Sequence, residues 1–335
     1  MASKMQAILK KRWKRLLIIT LFLLVALYYA IFWRMFAPIP GTNTWPDGDN
    51  IIVFYGQVFT TPLTQSRGLF FFDVGKKKLI RWRSVMTNPD GYAFVTWASQ
   101  KHQLLFNGTI DSVYGLYLLD KEGYITQKIE TIDLRASANY DISSDGEYIA
   151  FTNEGDLYIQ NIEDSGQQRL THDDYANGEP DWSPNDQELV FRTYRKDEDI
   201  FVIGRINRDG TDSNVLVQNP NALTSPRWSP DGNMIAFRES NQQFRDSLWI
   251  MNPDGSNLHQ ILAPNEDGDT VHDFAWLSDS EHIVFLSSRD GIYGIIRAEY
   301  QPTWTRSLYL IDVHTGEVTR LTHRWLFYTD LAWVD

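Results

Sequence analysis

Residues 225–237 read Ser-Pro-Arg-Trp-Ser-Pro-Asp-Gly-Asn-Met-Ile-Ala-Phe, and this stretch decides the fold because it is the clearest copy of a repeated unit. Ile235, Ala236 and Phe237 follow Trp228 at offsets of seven, eight and nine residues. The same apolar triplet follows four other anchor positions, one of which carries Ile in place of Trp: Trp97, Ile142, Trp182 and Trp276. Counting on to Trp333, successive anchors lie 45, 40, 46, 48 and 57 residues apart. A period in this range is typical of propeller blades built from four strands.

Each unit has the composition of four short strands joined by turns. The anchor ends the first strand, and a Ser-Pro-Asp-Gly turn follows it, as at residues 229–232. Proline presets one backbone dihedral and glycine accepts a positive φ, so this tetrapeptide favours a tight turn. The apolar triplet is the second strand, residues 247–250 are a third, and an Asn-Pro-Asp-Gly turn at 252–255 leads to the fourth. Short strands bounded by Gly, Pro, Asn and Asp at regular intervals indicate an all-β fold.

The two ends of the chain share one blade in this prediction. Five complete units begin near Ala93, Asn139, Pro180, Pro226 and Asp273. Before them, residues 50–83 supply only three strands, at 51–55, 69–73 and 78–83. The last six residues, 330–335, stop just after Trp333 and supply the missing first strand. We therefore predict a six-bladed β-propeller over residues 50–335, closed by its N- and C-terminal strands, because closure removes exposed strand edges.

The succession of Leu-Thr, Pro-x-Trp-Ser-Pro-Asp-Gly and Ile-Ala-Phe resembles the TolB-like β-propeller repeat, a WD-like Pro-Asp repeat. The resemblance covers roughly residues 50–335 and is clearest in the units that begin near Glu179, Ser225 and His272. It implies a six-bladed propeller that resides outside the cytoplasm. It does not by itself imply an activity, because propellers host many functions.

The N-terminal region reads as a membrane anchor. Residues 1–15 hold six basic and no acidic side chains, and residues 16–33 are apolar apart from Thr20. Eighteen helical residues span roughly 27 Å, close to the thickness of a bilayer core. The positive flank predicts a single-pass signal-anchor in the cell membrane, with a cytoplasmic N-terminus and the propeller outside. The alternative is a cleaved signal peptide, although Pro38 after Ala37 is a poor context for cleavage.

Composition narrows the set of partners. Residues 34–49 read as a linker rich in Pro and Gly, and the net charge of the whole chain is −12. Residues 1–46 hold seven basic and no acidic residues, which leaves 24 basic and 43 acidic residues, a net charge of −19, for the rest. Such a surface repels nucleic acid, so we expect none as a partner. The absence of Cys excludes disulfides, thiolate metal sites and a Cys nucleophile.

The two faces of a propeller carry different loops. We call the face with the turns after first and third strands, such as 229–232 and 252–255, the tight-turn face. The opposite long-loop face carries the longer connections, at residues 56–68, 172–179, 264–272, 289–306 and 324–329. The linker enters at the tight-turn face, so we expect the long-loop face to point away from the membrane. Its aromatic residues form the predicted binding surface, with local packing as the alternative reading: Tyr175, Tyr300, Trp304, Trp325, Phe327 and Tyr328.

No motif in the sequence indicates an enzyme. The chain lacks a Gly-x-Ser-x-Gly elbow, a His-Glu-x-x-His pair and a phosphate-binding loop. We therefore assign no catalytic, cofactor-binding or metal-binding residue. His172 and His323 follow equivalent Leu-Thr pairs, which indicates packing rather than metal ligation. The leading hypothesis is a membrane-anchored module that binds an envelope protein or a surface glycan. The alternatives are an extracellular carbohydrate- or peptide-processing enzyme with a site in the central channel, and a structural spacer.

Overall fold

The computed structural model describes residues 19–24, 41–42, 50–61, 64–82, 94–110, 113–130, 139–264, 271–287, 306–322, 326–327 and 331–334. These residues form six β-sheets and one six-residue helix at 19–24, so the all-β prediction is confirmed. No helix within the described ranges is long and apolar enough to cross a membrane. The helix at 19–24 lies inside the predicted span 16–33, and the rest of that span falls outside the described residues.

Blade 1 begins with the N-terminal strands. Its strands are β1 (Gly41–Thr42), β2 (Ile51–Thr61), β3 (Thr64–Asp73) and β4 (Lys78–Trp82). Strands β2, β3 and β4 form an antiparallel meander, and β1 adds to the outer edge of β4 in parallel orientation. The linker thus supplies one strand to the sheet.

Blades 2 to 6 are four-stranded antiparallel sheets in which the strands follow one another along the chain. Blade 2 contains β5 (Phe94–Ala98), β6 (Gln103–Ile110), β7 (Val113–Leu119) and β8 (Ile125–Ile129). Blade 3 contains β9 (Tyr140–Ile142), β10 (Tyr148–Asn153), β11 (Asp156–Asn161) and β12 (Gln167–Arg169). Blade 4 contains β13 (Ala176–Trp182), β14 (Glu188–Arg195), β15 (Ile200–Asn207) and β16 (Asn214–Asn219). Blade 5 contains β17 (Ala222–Trp228), β18 (Ile235–Ser240), β19 (Asp246–Met251) and β20 (His259–Leu262). Blade 6 contains β21 (Val271–Trp276), β22 (His282–Ser287), β23 (Ser307–Asp312) and β24 (Val318–Arg320).

The C-terminal strands β25 (Leu326–Phe327) and β26 (Leu331–Val334) return to blade 1. Strand β26 pairs antiparallel with β2, and Trp333 lies opposite Ile52 while Ala332 lies opposite Val53. This register is the head-to-tail closure that the anchor spacing predicts. The prediction of six blades closed within blade 1 is therefore confirmed.

One part of the prediction for blade 1 is wrong. Residues 56–68 do not form a long connection, because the β2–β3 ladder continues through Gly56↔Gly68 to Val58↔Ser66 and ends near Thr61 and Thr64. Strand β25 also pairs with Gln57 and Val58 and partly covers the edge of this hairpin. Gly56 and Gly68 indicate strand ends in the sequence, but the β-branched and aromatic residues 58–61 that follow Gly56 continue the ladder.

Every blade packs against two neighbours, which explains the runs of consecutive apolar residues. Ile51 and Val53 belong to the apolar cluster shared with blade 2, while Ile52 and Phe54 belong to the cluster shared with blade 6. Alternate side chains leave opposite faces of a strand, so burial of both faces demands apolar residues at every position. The anchors whose side chains the structure describes are core residues, as predicted, and Trp97, Trp182, Trp228 and Trp276 are at most 9% exposed. The side chain of Trp333 lies outside the described residues.

In blades 5 and 6, the turn between the third and fourth strands packs against the outer strand of the preceding blade. Gly255 in blade 5 has φ = 82°, and a Cβ built on it would lie 2.8 Å from the carbonyl oxygen of Leu216 in blade 4. Gly316 in blade 6 has φ = 70°, but its nearest neighbour, the Ile261 carbonyl oxygen, lies 3.6 Å from the corresponding Cβ. Both sites require left-handed backbone, and only the first also excludes a methyl group.

This difference predicts unequal costs for two equivalent substitutions. Gly316→Ala pays only for left-handed backbone, roughly 1–2 kcal/mol. Gly255→Ala adds a backbone clash that must be relieved by movement between blades, so we expect roughly 3 kcal/mol in total. Thermal and urea denaturation of the two variants measure these costs. Equal destabilisation would contradict the close approach of Gly255 to blade 4.

Candidate functional site

The central channel opens into a cavity of ≈ 310 Å³ at the tight-turn face. All six blades contribute to its wall, and in each blade the contributing residues include the one immediately before the anchor. In blade order these residues are Ala332, Thr96, Asp141, Asp181, Arg227 and Ala275. The first strands therefore present one ring of six side chains at one height in the channel.

The ring is polar on one side and apolar on the other. Blades 2 to 5 contribute Thr96, Asp141, Asp181 and Arg227, whereas blades 6 and 1 contribute two alanines and the neighbouring Leu331. The two carboxylates and the guanidinium leave one net negative charge when all three are ionised. An amphipathic wall of this kind suits a ligand that combines hydrogen-bond donors with an apolar body.

Asp141 joins three blades. Thr96 Oγ1 in blade 2 donates a hydrogen bond to Asp141 Oδ1 at 2.5 Å, and the backbone N–H of Trp182 in blade 4 donates to Oδ2 at 2.7 Å. The carboxyl is buried, and burial raises its pKa to about 7, with a further contribution from the negative charge of Asp181. The two hydrogen bonds and the charge of Arg227 act in the opposite direction. Asp141 therefore titrates near neutral pH.

Asp181 repeats this arrangement one blade further on. The backbone N–H of Trp228 donates to Asp181 Oδ2 at 2.7 Å, and Arg227 Nη1 lies 3.3 Å from Oδ1. Burial raises the pKa of Asp181, while the positive charge of Arg227 counteracts the rise. The indole N–H of Trp276 donates to the carbonyl oxygen of Arg227 at 3.2 Å, which links blade 5 to blade 6.

A second layer of acids lies three residues before the anchors. The backbone N–H of Leu331 in blade 1 donates to Asp273 Oδ2 at 2.6 Å, and burial raises the pKa of Asp273. At the equivalent position in blade 4, Glu179 accepts the N–H of Ser225 in blade 5 and pairs with Arg192, whose Nε lies 2.9 Å from Oε1. The channel acids therefore connect blade 3 to blade 4, blade 4 to blade 5 and blade 6 to blade 1 through backbone donors.

A family model described as the TolB beta propeller domain matches residues 95–308, which is more than half of the chain. This chain belongs to the TolB β-propeller family. The match confirms the TolB-like part of the resemblance, while the WD-like label stays a prediction.

Solved structures agree with this assignment at the level of the fold. A putative TolB from Agrobacterium tumefaciens superposes with a TM-score of 0.59 at 18% identity, covering 85% of this chain and 91% of that one. An oligogalacturonate lyase in complex with manganese superposes with a TM-score of 0.51 at 19% identity, covering 68% and 64% of the two chains. At these identities the likeness shows a shared fold and nothing about activity.

Curated relatives match only part of this TolB-family chain. An uncharacterized protein of Agrobacterium fabrum, Atu1656, is 25% identical over 156 residues, covering 42% of this chain and 52% of the relative. The Tol-Pal system protein TolB of Syntrophus aciditrophicus is 36% identical over 55 residues, covering 16% of this chain and 12% of the relative. The chain thus spans about half the length of the first relative and far less of the second.

Of the six aromatic residues predicted to bind, the structure describes the side chain of Tyr175 alone. Tyr175 is half-buried on the long-loop face, and the guanidinium carbon of Arg195 lies 5.2 Å from its ring centroid. Phe327 lies in β25, where only the backbone is described, and the other four fall outside the described residues: Tyr300, Trp304, Trp325 and Tyr328. The long-loop surface therefore stays a prediction.

The channel acids were missed by reasoning from the sequence. Asp141 and Asp181 directly precede their anchors, and this recurrence was the available signal. The residue before the anchor differs from unit to unit, and the repeat pattern was defined only by the residues that recur in every unit. This position was therefore given no role. Within the described ranges, no group of three or more His or acidic residues is placed to hold a metal ion.

Proposed function

We propose that this TolB-family propeller binds a segment of another envelope protein in the cavity at the tight-turn mouth of its channel. One observation carries the proposal: the ring of side chains that faces the cavity joins Asp141, Asp181 and Arg227 on one wall to Ala275 and Ala332 on the other. A cavity of ≈ 310 Å³ accommodates one or two side chains of a partner. A partner residue with an ammonium, guanidinium or amide donor and an apolar stem matches both walls.

The hydrogen bonds of the acids support binding at a rigid site. Asp141 and Asp181 each accept a backbone N–H of the next blade, so their positions are set before any ligand arrives. An ionised carboxylate has about four acceptor positions, and Asp141 uses one on each oxygen. Acceptor capacity therefore remains for a ligand. A pre-organised site binds more tightly because less conformational entropy is lost.

The proposed setting is the outer side of the cell membrane, with residues 16–33 in the bilayer and residues 1–15 in the cytoplasm. Strand β1 supports this orientation, since it runs parallel to β4 and therefore enters from the tight-turn side. The linker at 34–49 then approaches the ring on that side. The cavity faces the membrane, and its partner is a protein at or near the same membrane. The long-loop face, with Tyr175 and the other predicted aromatics, is proposed as a second surface for a protein or a surface glycan.

The name of one relative agrees with a role in an assembly. The relative from Syntrophus aciditrophicus is named as a protein of the Tol-Pal system. That name applies to the relative, and it supports a protein partner for this chain only by analogy.

A second candidate function rests on the titration of the cavity acids. A carboxyl with a pKa of about 7 beside another acid, in a channel cavity, is a typical general acid or base. A carbohydrate- or peptide-processing enzyme of the channel is therefore the alternative, and the fold is shared with an oligogalacturonate lyase. The two candidates predict different effects when Asp141 is replaced by Asn, which cannot take part in proton transfer.

Blocking the cavity tests the binding proposal. Ser99 lines the cavity in blade 2 and is half-buried, so Ser99→Trp fills the mouth without removing a ring acid. We expect it to reduce capture of the partner from solubilised membranes by tenfold or more, about 1.4 kcal/mol of binding. The matched control is Lys121→Trp, at an exposed turn of the same blade and face. Capture that is equal for both variants would contradict binding in the cavity.

Two further variants separate the remaining candidates. Changing Trp304, Trp325 and Tyr328 together to Ala lowers capture only if the long-loop face contributes. If the chain is an enzyme, the wild type turns over an oligosaccharide or peptide substrate and Asp141→Asn abolishes that turnover; if it only binds, the wild type turns over neither and Asp141→Asn weakens capture of the partner.

A further inference from the structure

The outer strand of each blade presents an edge that could pair with another chain. Natural sheets protect such edges with basic side chains, bulges or added strands. In blade 1 the linker strand β1 covers β4. The outer strands of five blades also carry a basic residue or His: Lys78 and Arg81 in β4, Lys128 in β8, Arg169 in β12, His259 in β20 and Arg320 in β24.

Strand β16 of blade 4 is the exception. Residues 214–219 read Asn-Val-Leu-Val-Gln-Asn, without a charge or a His, and at six residues β16 is the longest outer strand among the described residues. Val215 is 50% exposed and Gln218 is exposed. Within the part of the chain that the structure describes, no strand pairs with the outer edge of β16. The bulge of the β16 ladder also occurs in β8 and β20, so it does not set this edge apart.

We propose that β16 is a dimerisation edge, which pairs antiparallel with β16 of a second copy of this chain. The sequence is self-complementary in that orientation. The bulge takes Leu216 out of the register, so Asn214 meets Asn219, Val215 meets Gln218 and Val217 meets Val217 of the second copy. Apolar residues therefore meet at the centre and amides at the ends. The chain carries a net charge of −12, yet this strand brings no charge into the interface. When two copies pair through the same edge, an outer strand with Lys or Arg brings like charges close together, whereas β16 brings none.

The geometry of a propeller blade allows both copies to share one membrane. Neighbouring strands rotate by roughly 20–25°, so the fourth strand lies roughly 60–75° from the first. Strand β16 therefore runs across the channel axis rather than along it. The twofold axis of an antiparallel pair is perpendicular to the sheet, so at β16 it can lie along the channel axis. The two rings then keep the same face towards the bilayer. A six-residue edge buries less surface than a standard interface, so the dimer is weak and depends on concentration.

Charges introduced at the edge test the proposal on the full chain in detergent. Val215→Lys with Gln218→Lys places like charges opposite each other in both symmetry-related pairs, and Val215→Glu with Gln218→Glu does the same with the opposite sign. Sedimentation velocity is expected to show a monomer–dimer equilibrium for the wild type and an affinity about tenfold lower for either variant alone. Mixing the Lys and Glu variants restores the dimer, a result that misfolding cannot produce.

Disulfide formation tests the register, because the chain has no Cys. Directly opposite residues in an antiparallel pair lie about 4.5–5.5 Å apart, within the range of a disulfide. Val215→Cys with Gln218→Cys is expected to give a covalent dimer, whereas Ile125→Cys with Lys128→Cys on the outer edge of blade 2 remains monomeric. The proposal is overturned if the two Cys pairs cross-link at equal rates. It is overturned equally if the mixed Lys and Glu variants stay monomeric, or if the blade 4 Cys pair links in membranes to a different protein.

Discussion

Deleting residues 331–335 is expected to abolish the folded ring. The deletion removes β26, and with it the four pairs that join Leu331–Val334 to Ile51–Phe54. It also exposes the apolar surface around Leu331, which is 2% exposed in the intact chain. The carboxyl of Asp273 would lose the N–H donor supplied by Leu331, at a buried position.

The combined loss is comparable with the whole stability of a domain. Four backbone hydrogen bonds at about 1 kcal/mol each, burial of a Leu at about 2 kcal/mol and an unsatisfied acid at about 1–3 kcal/mol amount to roughly 8 kcal/mol. Net stabilities of domains lie at about 5–15 kcal/mol. The open edge of β2 would also be free to pair with other chains, so aggregation is expected to accompany unfolding.

Circular dichroism and limited proteolysis measure this effect directly. The matched control is deletion of Asp335 alone, which lies beyond the end of β26. We expect the control to keep the melting temperature of the intact chain. A truncated chain that melts cooperatively within a few degrees of the control would show that blade 1 is stable without its C-terminal strand.

Asp141→Asn is expected to change how stability depends on pH. Burial raises the pKa of Asp141 to about 7 in the folded chain, against about 3.9 in an unfolded chain. Between these values the folded chain binds a proton that the unfolded chain releases. The stabilisation from this group is therefore complete below about pH 4 and is lost as the pH rises through about 7. Three pH units correspond to about 4 kcal/mol, which is the upper limit of the effect.

The asparagine side chain mimics the protonated acid. Its carbonyl oxygen can accept from the N–H of Trp182, and its amide can donate to Thr96 Oγ1, so both contacts of the acid survive. We expect the variant to exceed the wild type in stability by roughly 2–4 kcal/mol at pH 8 and to match it near pH 4. Urea denaturation at a series of pH values provides the comparison.

Asp181→Asn supplies the contrast for this prediction. Asp181 pairs with Arg227, so loss of its negative charge weakens a partly buried ion pair. Because burial raises the pKa of Asp181 and this ion pair offsets only part of the rise, we expect Asp181→Asn to gain less stability than Asp141→Asn at pH 8. Parallel stability curves for the wild type and Asp141→Asn would mean that Asp141 is already ionised throughout this range in the folded chain.

The sequence alone was sufficient for the architecture because the fold is repetitive. The anchor, the Ser-Pro-Asp-Gly turn and the apolar triplet act within about ten residues of each other, and local turn chemistry and burial decide them. Even the closure of blade 1 followed from counting, since Trp333 is an anchor without the strands that should come after it. The resemblance to the TolB family added a name to a fold that the spacing already predicted.

The tertiary structure alone decided the contacts between blades. Asp141 meets the backbone of Trp182, which lies 41 residues away, and Asp273 meets Leu331, which lies 58 residues away. Such distances reflect the twist and stacking of whole sheets, and no local pattern encodes them. The same holds for the length of the β2–β3 hairpin and for the outer edge of β16, because whether a strand continues or stays unpaired depends on which neighbour reaches it. Periodicity thus determined the blades, and ring closure determined which side chains share the channel.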